Sequence, residues 1–225
     1  MLWITGDLHG SVDIGRLNTR RFPQQRQMTK EDLVLVCGDF GCVWSGDRED
    51  NYWLDWLERK PFTTLFLDGN HENFPLLEQF PEDIWSGGRI HRLRPSVLHL
   101  TRGQVFTLQR LRFFVMGGAA SHDRAYRTEG KNWWPQELPG EEEFRQARAV
   151  LDAQGWKVDY VATHCAPDAL QARLAPGYSQ DRLTRFLQEI AEKLEYSGWF
   201  FGHYHQDCQL DAKHRALYEG WVTLP

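Results

Sequence analysis

Short apolar runs, each ending in a cluster of Gly, Asp, Asn or His, recur along the chain. Leu2–Thr5, Leu33–Cys37, Thr63–Leu67, Phe113–Met116, Tyr160–Thr163 and Trp199–Phe201 are too short for helices and rich in β-branched or aromatic side chains, so they predict buried strands feeding functional loops. Between the first three, the stretch Asn51–Arg59, stopped by Pro61, and a shorter one after Asn73 predict helices. Strand alternating with helix predicts a parallel sheet. Val97–Leu100, Val105–Leu108 and Leu111–Met116 are separated by turn-sized gaps, the first containing Gly103, and predict antiparallel strands belonging to a second sheet. Further on, Phe144, Ala147 and Leu151 recur at helical spacing before Gly155, and Leu183, Phe186, Leu187, Ile190 and Leu194 follow Ser179, a candidate N-cap. Both patterns predict amphipathic helices that cover a sheet. No repeat, low-complexity tract or Gly/Ser linker divides the chain, so one α/β domain over residues 1–225 is expected.

Composition narrows the class. The chain has 225 residues, 41% hydrophobic and 25% charged, which sustains a core and excludes a disordered or fibrous protein. Its net charge of −5 argues against strong nucleic-acid binding through bulk charge. No apolar run approaches the roughly 20 residues that span a bilayer, and Met1 leads at once into Leu2-Trp3-Ile4-Thr5-Gly6-Asp7 without a basic or apolar leader. A cytoplasmic protein with no membrane partner is the expectation. The four cysteines are too few for a disulfide scaffold and form no CxxC pair; Cys37, Cys42, Cys165 and Cys208 read as small packing residues beside the chemical motifs.

Five predicted strand ends carry the candidate chemistry. Asp7 and His9 lie in GDLHG, Asp39 in GDFG, Asn70 and His71 in GNHE, His164 in THC, and His203 and His205 in GHYH. Loops at strand carboxyl ends converge on one crevice in open α/β sheets, so residues this far apart in sequence can share a site. Carboxylate and amide oxygens with imidazole nitrogens suit Mn, Fe, Co or Zn, and the absence of thiolates argues against a structural zinc site. Two Asp, one Asn and four His are too many donors for one ion and enough for two if one carboxylate bridges.

In order and spacing these motifs resemble the calcineurin-like metallophosphoesterase superfamily, with its pattern of D-x-H, GD, GNH, H and GHxH, from residue 7 to residue 205. The resemblance implies a four-layer α/β/β/α sandwich of two mixed sheets with helices outside. It also implies two divalent metal ions, Mn the first expectation, one held by Asp7, His9, Asp39 and His205 and the other by Asp39, Asn70, His164 and His203. Such a pair generates a bridging hydroxide and clamps the phosphoryl oxygens for in-line attack. His71 is implied as the catalytic residue, a non-ligand histidine donating a proton or hydrogen bond to the leaving oxygen.

The departures from the pattern are informative. Protein Ser/Thr phosphatases of this superfamily extend the second motif as GDxxDRG and place Arg before GNHE. Here Cys42, Val43 and Trp44 stand at the former positions and Asp68 at the latter, removing guanidiniums that bind phosphate and the carboxylate that orients the histidine. A bacterial-type enzyme acting on a small phosphomonoester or phosphodiester, nucleotides included, is therefore preferred to a protein phosphatase or a non-catalytic binding scaffold. Residues 84–127 hold eight arginines against one acid, Asp123, and the loop from Gly117 to Asp123 follows a predicted strand. His122, Arg124 and Arg127 are thus candidate substrate contacts. The stretch 119–140 is the expected family-specific insertion. Within it, Trp133-Trp134 reads first as core packing, with a stacking surface for a base as the alternative.

Overall fold

The computed structural model describes residues 1–225. Thirteen strands are present: β1 (Leu2–Thr5), β2 (Leu33–Val36), β3 (Thr63–Phe66), β4 (Glu82–Trp85), β5 (Gly88–Arg94), β6 (Val97–Leu100), β7 (Gln104–Leu108), β8 (Leu111–Met116), β9 (Tyr160–Thr163), β10 (Gly198–Phe201), β11 (Cys208–Gln209), β12 (His214–Ala216) and β13 (Val222–Leu224). The helices are α1 (Arg48–Glu58), α2 (Phe74–Leu77), α3 (Glu141–Ala153), α4 (Asp168–Leu174) and α5 (Arg182–Lys193). One sheet has the order β13-β1-β2-β3-β6-β5-β4 and the other β11-β12-β10-β9-β8-β7. Both are mixed: β1, β2, β3 and β6 run parallel, as do β8, β9, β10 and β12, while β5 and the edge strands pair antiparallel with their neighbours.

The apolar runs are continuous because each central strand is covered on both faces. Side chains alternate along β8, so Phe113 and Val115 enter the layer between the sheets while Phe114 and Met116 face outward. In β2, Leu33 and Leu35 point between the sheets and Val34 and Val36 toward α1. Outside the second sheet, Phe144, Ala147 and Leu151 of α3 meet Leu183, Phe186, Leu187 and Ile190 of α5. The result is the expected α/β/β/α layering. Helices cover the first sheet sparsely, through α1, short α2 and three 3-10 turns between Gly10 and Gln27. No helix is long and apolar enough to cross a membrane.

Two details of the sequence reading are corrected. Val97–Leu100 joins the first sheet, parallel to β3 and antiparallel to β5, whereas β7 and β8 form a hairpin in the second. Thr101–Gly103 therefore carries the chain from one sheet to the other rather than turning a hairpin. Leu100 and Phe106 both lie between the sheets, so their apolar character is the same on either side of the crossing. The α5 cap is Asp181 rather than Ser179, with its carboxylate accepting from Leu183 N at 2.7 Å and Thr184 N at 3.0 Å.

Candidate metal centre

The carboxyl ends of β1, β2, β9 and β10, together with the loop after β3, open at one edge of the two sheets and gather the motif residues. Asp7, His9, Asp39 and His205 offer donor atoms that all lie within 4.8 Å of one another. Asp7 and Asp39 are buried. Their carboxylates face imidazoles and backbone N–H groups, with no Lys or Arg in ion-pair contact.

The carboxylate of Asp39 divides between two groups of donors. Oδ2 lies 3.4 Å from His9 Nε2, and Oδ1 lies 3.4 Å from His164 Nε2. On the Oδ1 side, His164 Nε2 is 3.2 Å from Asn70 Oδ1, and the His164 and His203 rings are 5.0 Å apart. His203 Nε2 also approaches His122 Nε2 at 3.1 Å. The hydrogen bonds behind these donors fix their orientation. His164 Nδ1 donates to Cys37 O at 2.8 Å, which leaves Nε2 with a lone pair aimed at two oxygen acceptors. His9 Nδ1 is held by Asp13 Oδ2 at 2.9 Å, again turning Nε2 inward. Asn70 Nδ2 donates to Ser121 Oγ, itself bonded to buried Glu137, so the amide oxygen points into the site. The His164 lone pair and the oxygens it faces repel unless a cation lies between them, and carboxylates that draw a proton onto His9 would equally draw a metal cation, so the donor set fits divalent metal.

Electrostatics agree with the geometry. Burial opposes protonation of His9, but the Asp39, Asp7 and Asp13 carboxylates outweigh it and lift its pKa to about 9. Burial works against the charge on Asp39, yet the His164, His9 and His71 imidazoles hold its carboxyl well below the usual range. Glu72, wholly buried, is displaced the other way by desolvation and by Asp39, and its Oε1 accepts from Phe40 N at 2.7 Å, joining GNHE to GDFG. Burial raises the Cys37, Cys42 and Cys165 thiols, as suits packing residues.

The backbone is adapted to this crowding. His9, Asp39, His203 and His205 all have positive φ, between 44° and 69°. A Cβ at Gly69 would lie 2.0 Å from Asp39 Oδ1, and one at Gly202 would lie 2.0 Å from Asp7 Oδ1, so only glycine fits beside either carboxylate.

His71 and Arg127 meet at the rim. Arg127 Nη1 lies 3.3 Å from His71 Nδ1 and Nη2 lies 3.0 Å from Nε2. The two ring nitrogens point in divergent directions, so the guanidinium edge bears on the ring rather than making two bonds in its plane. Arg127 is in turn anchored by Asp123 Oδ1 at 2.6 Å. Burial, with opposition from Asp39 and help from the Arg127 charge, lowers the His71 pKa, so the ring is neutral at pH 7.

The structure brings together all seven candidate ligands, His71, His122 and Arg127. Arg124 is elsewhere, with its guanidinium 4.0 Å over Trp133. Most other arginines of residues 84–127 face partners away from the site: Arg92 pairs with Asp83, Arg94 with Asp55 and Arg102 with Asp68. Trp133 and Trp134 are buried, in line with packing. Asp13, Ser121, Glu137 and Tyr178, which stacks on His122, were not distinguishable in the sequence, although Asp13 follows His9 by four residues.

Two facing mixed sheets whose loops collect carboxylate, amide and imidazole donors define a metallophosphoesterase-like protein. The profile of the calcineurin-like phosphoesterase family matches residues 1–207, and the chain belongs to that family. Among curated proteins, lariat debranching enzyme A of Xenopus laevis is 29% identical over 102 residues, covering 39% of this chain and 19% of that protein. Among solved structures, the sulfate thiohydrolase SoxB of Thermus thermophilus in complex with glycerol aligns with 97% of this chain and 51% of that one, at 13% identity and a TM-score of 0.41. The chain thus spans about a fifth of the former and about half of the latter.

Proposed function

We propose that this protein is a phosphoric ester hydrolase that uses two divalent metal ions, with a small phosphomonoester or phosphodiester as substrate. The observation that carries this reading is the divided carboxylate of Asp39, one oxygen toward His9 and the other toward His164. Asp7, His9, Asp39 and His205 would hold one ion, and Asp39, Asn70, His164 and His203 the other. When bound, such ions supply Lewis acidity that polarises phosphoryl oxygens and activates water near neutral pH.

The remaining work falls to side chains at the rim. Arg127 offers its guanidinium to a phosphoryl oxygen, taking the place of the arginines that Cys42-Val43-Trp44 and Asp68 do not provide. His71 is neutral and held against Arg127, so its N–H donates a hydrogen bond to the leaving oxygen. Asp123 holds Arg127 and through it sets the tilt of that ring. His122, stacked on Tyr178, stands beside His203 where a further phosphoryl oxygen can be reached.

The test is hydrolysis of paired aryl phosphomonoester and phosphodiester reporters by chelated and then Mn-reconstituted protein, with His71→Ala and His164→Ala alongside. Turnover that needs metal and falls at least about 100-fold in both variants is expected. No turnover with Mn, Fe, Zn or Co, in protein that binds two ions, would overturn the enzyme reading and favour a binding scaffold.

A further inference from the structure

A phosphate ester has two halves, and the cavity around the donors accounts for one. That cavity, about 240 Å³, is lined by Asp39, Asn70, His71, Arg127, His203 and His205 among others, and suits the phosphoryl group. A second cavity of about 360 Å³ adjoins it, and His71 is the residue that lines both. If His71 meets the leaving oxygen, the rest of the leaving alcohol continues into this second space.

The walls of the second cavity are chemically distinctive. Trp44 and Trp53 are half-buried and line it together with Asp47, Glu49 and Asp50, and neither Lys nor Arg is present. The wall is rigid before anything binds. Buried Asp50 accepts through Oδ2 from the N–H groups of Trp44, Ser45 and Gly46 at 2.7 to 2.8 Å, while the Asn73 side-chain amide donates to Trp44 O at 2.7 Å. Trp44 is braced edge-on by Trp134, at 5.4 Å between ring centroids. Trp44 stands where the protein phosphatase pattern has Gly, next to Val43 at the Arg position, so the segment that lacks the guanidinium also builds this wall.

We propose that this cavity selects the leaving group, and that it takes an alcohol bearing a planar aromatic group, neutral or cationic, whose edge carries N–H donors. The proposal rests on the phosphoesterase reading and deepens it. The tryptophan rings supply flat apolar surface, and the carboxylates of Asp47 and Glu49 accept from N–H groups at the edge of the ring. A leaving group with a carboxylate or second phosphate on that edge would meet the like charges of Asp47 and Glu49, with neither Lys nor Arg in the lining, and is disfavoured. Hydrolysis breaks the bond from phosphorus to the leaving oxygen, joins a water oxygen to phosphorus, and passes one of that water's protons, directly or through solvent, to the leaving oxygen, so the freed alcohol departs from the Trp44 side.

Steady-state kinetics of the Mn-loaded full chain test this with four monoesters of alkyl alcohols. AMP is expected to exceed glycerol 1-phosphate in kcat/KM by at least about ten-fold, within the range of a single aromatic stack. Phosphocholine is expected to exceed 3-phosphoglycerate, a gap that Glu49→Gln narrows. Trp44→Ala and Trp53→Ala should collapse the AMP preference with the loss falling on KM, and Trp53→Phe should restore most of it. Turnover of all four esters with an AMP to glycerol phosphate ratio near one, or with that ratio unaltered in both alanine variants, would overturn the proposal. If no ester is hydrolysed, the enzyme reading fails separately, and adenosine alone decides about the cavity. Saturable quenching of tryptophan fluorescence by adenosine, lost in Trp44→Ala and Trp53→Ala, supports the cradle, and no quenching up to millimolar adenosine refutes it.

Discussion

Four of the seven candidate ligands, His9, Asp39, His203 and His205, hold left-handed backbone conformations that cost non-glycine residues about 1 to 3 kcal/mol each. Such strain persists only where the surroundings enforce it, and here it turns the donor atoms inward from strand ends that would otherwise point them along the sheet. The side chains behind the ligands matter equally. Asp13 fixes His9 through Nδ1 and also lies 3.4 Å from the Tyr218 hydroxyl, which makes it a positioning residue. Asp13→Asn removes the charge that keeps His9 Nε2 aimed at Asp39. We expect metal affinity to fall about 10- to 100-fold with the fold intact, read by competition with a chelating dye and by circular dichroism. Gly202→Ala should be more severe, since its Cβ would enter the Asp7 carboxylate. Loss of metal binding is the expected outcome there, and an unchanged metal content would contradict the close approach.

Among the secondary-structure elements, the helix α5 shows how local chemistry settles a boundary. Asp181 and Thr184 form a reciprocal pair, the carboxylate accepting from the N–H groups of Leu183 and Thr184 while Thr184 Oγ1 accepts from Asp181 N at 3.0 Å. Ser179 lies outside this turn and is exposed. Asp181→Ala should therefore destabilise the protein by about 1 kcal/mol, whereas Ser179→Ala should remain within about 0.5 kcal/mol of wild type, both read from urea midpoints. Equal effects would contradict the cap assignment. The strands tell a complementary story, because β1, β2 and β3 each end in a motif loop and their parallel register delivers Asp7, Asp39 and Asn70 to the same edge.

At the scale of the whole molecule, a buried polar chain ties the back of the GNH loop to the far end of the first sheet. Asp68 meets Arg102 at 2.6 Å and His99 Nε2 at 3.1 Å, and His99 Nδ1 faces His91 Nδ1 at 3.0 Å. Burial first and the neighbouring His99 second push the His91 pKa down to about 4, so this ring is neutral in the folded state. In the unfolded chain it gains a proton near pH 6.5. Its contribution to stability is thus complete above about pH 6.5 and is lost as the pH falls toward 4, by about 1 to 2 kcal/mol after allowance for solvent screening. Melting temperature measured across that window should fall more steeply for the wild type than for His91→Gln, and parallel profiles would exclude His91 as the cause.

The amino-acid pattern by itself determined the central strands, the two amphipathic helices and the candidate donors, because each depends on local periodicity or on residue types clustered within a few positions. Leu2–Thr5 and Tyr160–Thr163 have the same bounds in sequence and structure for that reason. Tertiary structure alone decided the rest. Val97–Leu100 and Val105–Leu108 are equally apolar, and only packing between the layers sends them to different sheets. Arg124 and Arg127 lie three residues apart in one basic segment, yet one covers Trp133 and the other contacts His71, a difference of direction that residue type does not encode. Asp13, Ser121 and Glu137 support donors without belonging to a motif, since a hydrogen bond to a ligand depends on where the chain returns in space. The cavity between Trp44, Trp53 and His71 is likewise a product of folding, formed where the loop before α1 is held by Asp50 beside the loop after β3.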